Sequence, residues 1–280
     1  MTALEALLLG IVQGLTEFLP ISSSGHLILV PWLLDFTYLE KHERFNKTFD
    51  VALHTGTLIA VLAYFRREIK AILAGLASSV RRRRVSTPNE RLAWLLAIAT
   101  VPAAAVGAAF SDVIERDLGE PWQIAIFLFV FGLLLLLADR LPERREVDDL
   151  RWQSALGIGC AQAVALAPGT SRSGVTITVG RALGLTRDAA ARFSFLMLAP
   201  VTFGATVFKG AEVARDGLPA GSAGPFAVGI AAAAVSGLFA ISFLLRYVRT
   251  HSYDIFVWYR FAVATLVLGL IGTGVKEATF

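Results

Sequence analysis

Apolar positions along the chain fall into six long runs and two shorter, interrupted ones. The long runs, roughly 50–65, 92–110, 122–138, 193–208, 225–245 and 255–273, approach the ~20 residues that carry a helix across the hydrocarbon layer. The interrupted runs lie at about 3–35 and 152–185, where an apolar stretch too short to cross is broken by proline and then by a cluster of hydroxyls. Backbone that leaves the helix inside a membrane must be satisfied by protein or line a cavity. Each interrupted run therefore reads as a re-entrant helical hairpin, and such breaks mark sites.

The two interrupted runs are versions of one phrase. Laid over each other without a gap, residues 6–30 match residues 155–179 at nine positions, among them Gly10/Gly159, Gln13/Gln162, Ser22/Ser171, Ser24/Ser173 and Gly25/Gly174. Three long runs follow each copy, and an odd number of crossings inverts the second half relative to the first. The pattern predicts an all-α integral membrane protein with six transmembrane helices plus two re-entrant helical hairpins in an inverted-topology repeat. The first repeat covers 1–140, the second 152–275, and 141–151 links them. The hairpins would enter from opposite faces and meet near the midplane.

Composition agrees. Hydrophobic residues make up 55% of the chain and charged residues 17%, with a mean hydropathy of +0.63, well outside ordinary soluble domains. An early Glu5 and the lack of a basic leader segment make the N-terminus read as mature sequence. Cys160 alone excludes an internal disulfide and a cysteine metal cage. No nucleic-acid partner is expected, because aromatic residues are not interleaved with the basic ones. Segments 66–91, 139–151, 181–192 and 246–253 carry 17 Lys and Arg, against 7 in 36–48, 111–121, 209–224 and the C-terminal tail. The positive-inside rule then places the first set, with the linker, in the cytoplasm and both termini outside it. Arg81–Arg84 belongs to this signal, and Trp32, Trp122 and Trp152 suit the membrane interfaces.

The chemistry concentrates at the two breaks. Gln13 and Glu17, four apart, share a helical face, with Gly10 and Gly14 thinning the neighbouring surface for close helix approach. A carboxylate inside an apolar segment is costly and is a functional candidate by default; the alternative is a Glu at the water interface. Ser22, Ser23 and Ser24 precede His26 where a second helix begins, and Thr170, Ser171 and Ser173 hold the equivalent place in the other copy. One serine of each set is accounted for as a helix N-cap. The remainder, with two helix N-termini aimed at one point, suit an anion. Gly169 lets backbone approach a ligand, and Arg172 offers a bidentate charge suited to phosphate, or an ion pair with Glu17. His26 is a candidate general acid or base, or a buried structural histidine. His54 and Asp50 read as interfacial or one step removed from the ligand, Arg260 as snorkelling or paired, and His42 and His251 as loop residues.

Taken together, Gln13-Gly-Leu-Thr-Glu17, Leu19-Pro-Ile-Ser-Ser-Ser-Gly-His26 and Pro168-Gly-Thr-Ser-Arg-Ser173 resemble the undecaprenyl-diphosphatase family, also called bacitracin-resistance proteins. The resemblance extends over nearly the whole chain in length, segment order and repeat arrangement. It implies hydrolysis of undecaprenyl diphosphate to the monophosphate lipid carrier and phosphate, recycling the carrier for cell-wall synthesis. It further implies an active site at the outer face of the bacterial cytoplasmic membrane and a divalent cation, Mg2+ or Ca2+. Glu17 and Gln13 match the family's Glu/Gln-x-x-x-Glu motif, Ser23 and His26 the serine and histidine after its proline, and Arg172 the arginine of the second motif. Gln13 stands where many members have glutamate, so any metal contact would run through its carbonyl.

On this reading Glu17 and Gln13 hold the cation, and His26 handles protons. Arg172 with Ser22, Ser24, Gly169, Thr170, Ser171 and Ser173 binds the substrate phosphates. Ser23 attacks phosphorus, or water does; the sequence leaves both open. Partners are the polyprenyl diphosphate lipid and the surrounding membrane lipids, with a homodimer admitted. One rival is the lipid phosphatases related to phosphatidic acid phosphatase, whose lysine-containing motif ending in Arg-Pro and second histidine are not found. The other is a lipid-phosphate transporter, since inverted repeats with broken helices are common there.

Overall fold

The computed structural model describes residues 1–36, 43–218 and 221–279; His42 lies outside them. Its helices are α1 (Ala3–Phe18), α2 (Ser23–Leu34), α3 (Glu43–Tyr64), α4 (Arg66–Arg82), α5 (Pro88–Asp117), α6 (Pro121–Asp139), α7 (Trp152–Val164), α8 (Arg172–Ala182), α9 (Arg187–Asp216), α10 (Ala223–Tyr247) and α11 (Asp254–Gly272). No strand is formed among the described residues. Five helices, α5, α6, α9, α10 and α11, are long and apolar enough to cross a membrane, and α3 with α4 makes a sixth if the bent pair is one span.

That bent pair differs from the sequence reading, which left 66–91 as a loop. Residues 66–82 form a helix that leaves α3 at 85°. Its apolar residues recur at helical spacing, with Ile72 buried and Ile69 and Leu76 packed on the core, but five arginines and lysines among them lower the hydropathy that marks a span. Gly75 lets α4 close on the start of α5, where a Cβ would stand 3.0 Å from the Glu90 amide.

Close helix crossings organise the rest. On α1, a Cβ at Gly10 would meet the Gly229 carbonyl at 2.5 Å and one at Gly14 the Ala233 carbonyl at 2.5 Å, so these glycines let α1 lie directly against α10. Gly159 does the same for α7 against the backbone of Ala99 on α5. At the end bearing the basic loops, the buried Asp139 carboxylate accepts from Arg181 Nε (3.2 Å), Arg187 Nε (2.7 Å) and the Tyr253 amide (3.0 Å). It thereby joins the ends of α6, α8, α9 and α11. Arg181 and Arg187, which the sequence reading counted as loop charges, are here part of the scaffold, Arg181 with no exposed surface.

Candidate active site

Both interruptions end in the same backbone device. The chain leaves α1 at Phe18 and α7 at Val164, then starts α2 and α8 from Ser22 and Ser171. These two serines have nearly identical left-handed backbones, with φ 76° and ψ 96° in Ser22 and φ 74° and ψ 109° in Ser171. Each accepts a hydrogen bond on Oγ from the glycine three residues on, Gly25 N at 3.3 Å and Gly174 N at 3.1 Å. Such φ values are uncommon outside glycine and gather where surrounding structure over-determines them. The surroundings here are the other turn: Ser22 Oγ also accepts from Gly169 N at 3.1 Å, and Ser173 Oγ donates to the Leu19 carbonyl at 3.1 Å.

Glu17 is the hub of the polar cluster so formed. It is 4% exposed, and its Oε2 accepts from Ser23 Oγ at 2.5 Å and from Gln13 Nε2 at 3.0 Å. Its Oε1 pairs with Arg172 Nη2, and His54 Nε2 stands 3.6 Å from Oε2. Arg172 also reaches Thr202 Oγ1 of α9 at 3.5 Å. Four helices, α1, α2, α3 and α8, thus bring a carboxylate, a hydroxyl, an imidazole and a guanidinium onto one another. A carboxylate in this setting stays charged because donors surround it, and a hydroxyl bonded to it is poised to lose its proton.

His26 faces elsewhere. Nδ1 lies 2.7 Å from the Ser22 carbonyl, which can only accept, so the proton is on Nδ1. Nε2 lies 2.8 Å from the Tyr259 hydroxyl, and the two rings stack with centroids 5.6 Å apart.

The structure therefore brings together Gln13, Glu17, Ser23 and Arg172. It uses Ser22 and Ser171 as caps, and it places Ser173 and Gly169 where the turns touch. Thr170 is buried with its hydroxyl on the Ala167 carbonyl at 2.7 Å. Ser24 is half-buried and not among the groups on Glu17. His54 stands closer than expected, with Nδ1 2.8 Å from the Asp50 carbonyl turning Nε2 toward Glu17. Arg260 corrects the sequence reading most sharply. It neither snorkels nor pairs with a carboxylate among the described residues, being fully buried and bonded to five backbone carbonyls. Its signal in the sequence was an arginine inside an apolar run.

The donors also allow a test of fit for a divalent cation. Gln13 Oε1 is buried without a hydrogen-bond partner, on the side-chain amide whose Nε2 donates to Glu17 Oε2 at 3.0 Å. No group of three or more His, Cys, Asp or Glu side chains that would close a cage occurs among the described residues. Two oxygens, one of them orphaned, suit a hard cation that takes its remaining ligands from water and substrate phosphate, the usual habit of Mg2+.

Comparison with known proteins gives one consistent result. Residues 6–266 match the family model described as "Bacitracin resistance protein BacA". Proteins named undecaprenyl-diphosphatase are similar across their length. The one from Rubrobacter xylanophilus is 46% identical over 270 residues, covering 96% of this chain and 98% of the relative. That of Pelobacter propionicus is 46% identical over 278 residues, covering 99% and 100%, and that of Geobacter sulfurreducens 46% over 273 residues, covering 97% and 99%.

Proposed function

This chain belongs to the bacitracin resistance protein family, and from that premise we propose that it hydrolyses undecaprenyl diphosphate to undecaprenyl phosphate and inorganic phosphate, with Ser23 as nucleophile and Glu17 as its base. The observation that carries the assignment is the 2.5 Å hydrogen bond from Ser23 Oγ to Glu17 Oε2. The transporter alternative gains no support from relatives named for hydrolysis.

The steps balance with the residues present. The terminal phosphate draws Arg172 away from Glu17, which frees the carboxylate at the moment a phosphate oxygen takes its place on the guanidinium. Glu17 accepts the Ser23 proton as the Oγ–P bond forms and the bridging P–O bond breaks, then returns that proton to the leaving oxygen of undecaprenyl phosphate. In the second half Glu17 takes a proton from water as the water oxygen attacks the phosphoserine. The Ser23 oxygen recovers a proton as it leaves, and inorganic phosphate is released. Gln13 Oε1 and the Glu17 oxygen vacated by Arg172 would hold a divalent cation, which when bound supplies charge neutralisation at the phosphates. His26 fixes the first turn of α2 through Ser22; a part in proton transfer requires that Nε2 part from Tyr259.

The architecture supports a finer reading. We take α1–α2 and α7–α8 as the two re-entrant hairpins of repeats 1–140 and 152–275, and α3, α5, α6, α9, α10 and α11 as six spans. The basic loops would face the cytoplasm and the active site the outer side of the cytoplasmic membrane. A lone chain supplies every group named above, so a homodimer is not needed for the chemistry.

The test is phosphate release from undecaprenyl diphosphate by purified protein in detergent, followed by acid quench. A phosphoserine at residue 23 is expected. Phosphate release at the parent rate by Ser23→Ala would remove the covalent step, and no release by the parent protein would remove the function.

A further inference from the structure

Arg260, in the first half of α11, is a buried cation that this mechanism leaves unused. It has no exposed surface, and a buried charge must be compensated. Among the described residues the compensation is entirely backbone. Nε donates to the Leu128 carbonyl at 2.9 Å and Nη1 to the Pro20 carbonyl at 3.1 Å. Nη2 donates to the carbonyls of Phe127 (3.3 Å), Gly169 (3.3 Å) and Thr170 (3.2 Å). Pro20 belongs to the turn before α2, and Gly169 and Thr170 to the turn before α8. One rigid fork therefore holds both turns and anchors them to α6. Space is kept for it: a Cβ at Gly174 would stand 3.0 Å from Nη1. The preceding residue, Tyr259, holds His26 on the same α2 turn.

We propose that Arg260 is a positioning residue for the hydrolysis: by tying the Pro20 carbonyl to those of Gly169 and Thr170, it sets Ser23 at the start of α2 in register with Arg172 at the start of α8. The inference rests on the roles given above to Ser23 and Arg172. The leverage is large, because displacing reacting groups by roughly 1 Å can cost about 100-fold in rate. Only a planar fork with five donors spans carbonyls from three segments, so lysine is not an equivalent residue here.

The experiment compares parent, Arg260→Lys and Arg260→Gly in detergent with undecaprenyl diphosphate, recording kcat, KM and thermal midpoint together. Arg260→Lys is expected to lower kcat by at least about 30-fold while KM moves less than about threefold, on the scale set by mispositioning. Guanidinium ion at sub-denaturing concentration is expected to restore Arg260→Gly by about tenfold or more, and ammonium ion not to, because the fork geometry and not the charge is missing. A lysine variant within about threefold of the parent in kcat overturns the proposal, as does a loss that tracks the fraction of protein unfolded. Should Arg260→Gly fail to fold, kcat against thermal midpoint in Arg260→Lys decides alone. An active parent with an equally active lysine variant sinks this inference only, whereas an inactive parent sinks the assigned function.

Discussion

Replacing Glu17 by glutamine separates the two things this side chain does. Gln keeps the shape and one carbonyl oxygen, so the bonds from Ser23 and Gln13 retain an acceptor, but the proposed base and the charged partner of Arg172 are lost. Breaking a fully buried pair on one side costs about 3–5 kcal/mol. Here the Arg172 side chain is 21% exposed against 2% for Glu17, so water can reach the orphaned guanidinium and the stability cost should fall well below that range. Activity should fall much further, since removing a positioned general base costs about 100- to 10,000-fold. The assay is phosphate release at saturating undecaprenyl diphosphate, with thermal midpoints on the same preparations. Adding Arg172→Gln to Glu17→Gln sharpens the result. The double variant no longer buries an unpaired charge and should regain stability relative to Glu17→Gln, yet stay inactive. Activity within about tenfold of the parent in Glu17→Gln, or its recovery in the double variant, would refute the argument that the carboxylate does more than neutralise Arg172.

Three further outcomes follow from other parts of the molecule. Gly159→Val should lower the thermal midpoint by several degrees, because overpacking at the α5–α7 crossing costs about 1–3 kcal/mol, while Gly157→Ala, which meets nothing within 4 Å, should not; equal midpoints would discount the crossing. A chelator should abolish phosphate release and added Mg2+ or Ca2+ restore it, with Gln13→Leu needing more cation for half-maximal rate; an unchanged cation requirement removes Gln13 from the metal. In a Cys160→Ala background and intact cells, Leu218→Cys between α9 and α10 should react with an impermeant thiol reagent and Ser86→Cys should not; the opposite pattern inverts the proposed orientation.

Some of the site was legible in the chain and some was not, for physical reasons. Gln13, Glu17, Ser23 and Arg172 were found because polar groups inside apolar segments are costly and therefore conspicuous, and α1 against α10 was foreshadowed by Gly10 and Gly14. His54 was underestimated because its approach to Glu17 depends on how α3 crosses α1, a contact between residues 37 apart in sequence. Arg260 was misread because a one-dimensional reading pairs charges with charges. Its partners are carbonyls, which every residue has and no sequence advertises, freed in the turns at Pro20, Gly169 and Thr170. Helix α4 was missed for the opposite reason: its arginines are obvious, and they hide an apolar stripe at helical spacing.

The repeat explains why there is one site and not two. Ser22 and Ser171 build the same turn, so each presents the next residue at the first position of a short helix, and those residues are Ser23 in one copy and Arg172 in the other. The ungapped correspondence also sets Glu17 against Leu166 and Gln13 against Gln162. Both glutamines keep a buried Oε1 without a partner, but only Gln13 has a carboxylate one turn on. Gln162 instead donates toward the Ala99 carbonyl at 3.4 Å, within the α5–α7 crossing. On the proposed mechanism a duplicated scaffold has divided the labour, with nucleophile and base from the first copy and the phosphate-binding guanidinium from the second. On that mechanism hydrolysis needs both at one phosphorus, and the contacts between the turns, Ser22 with Gly169, Ser173 with Leu19 and Arg260 with both, are what bring the two half-sites together.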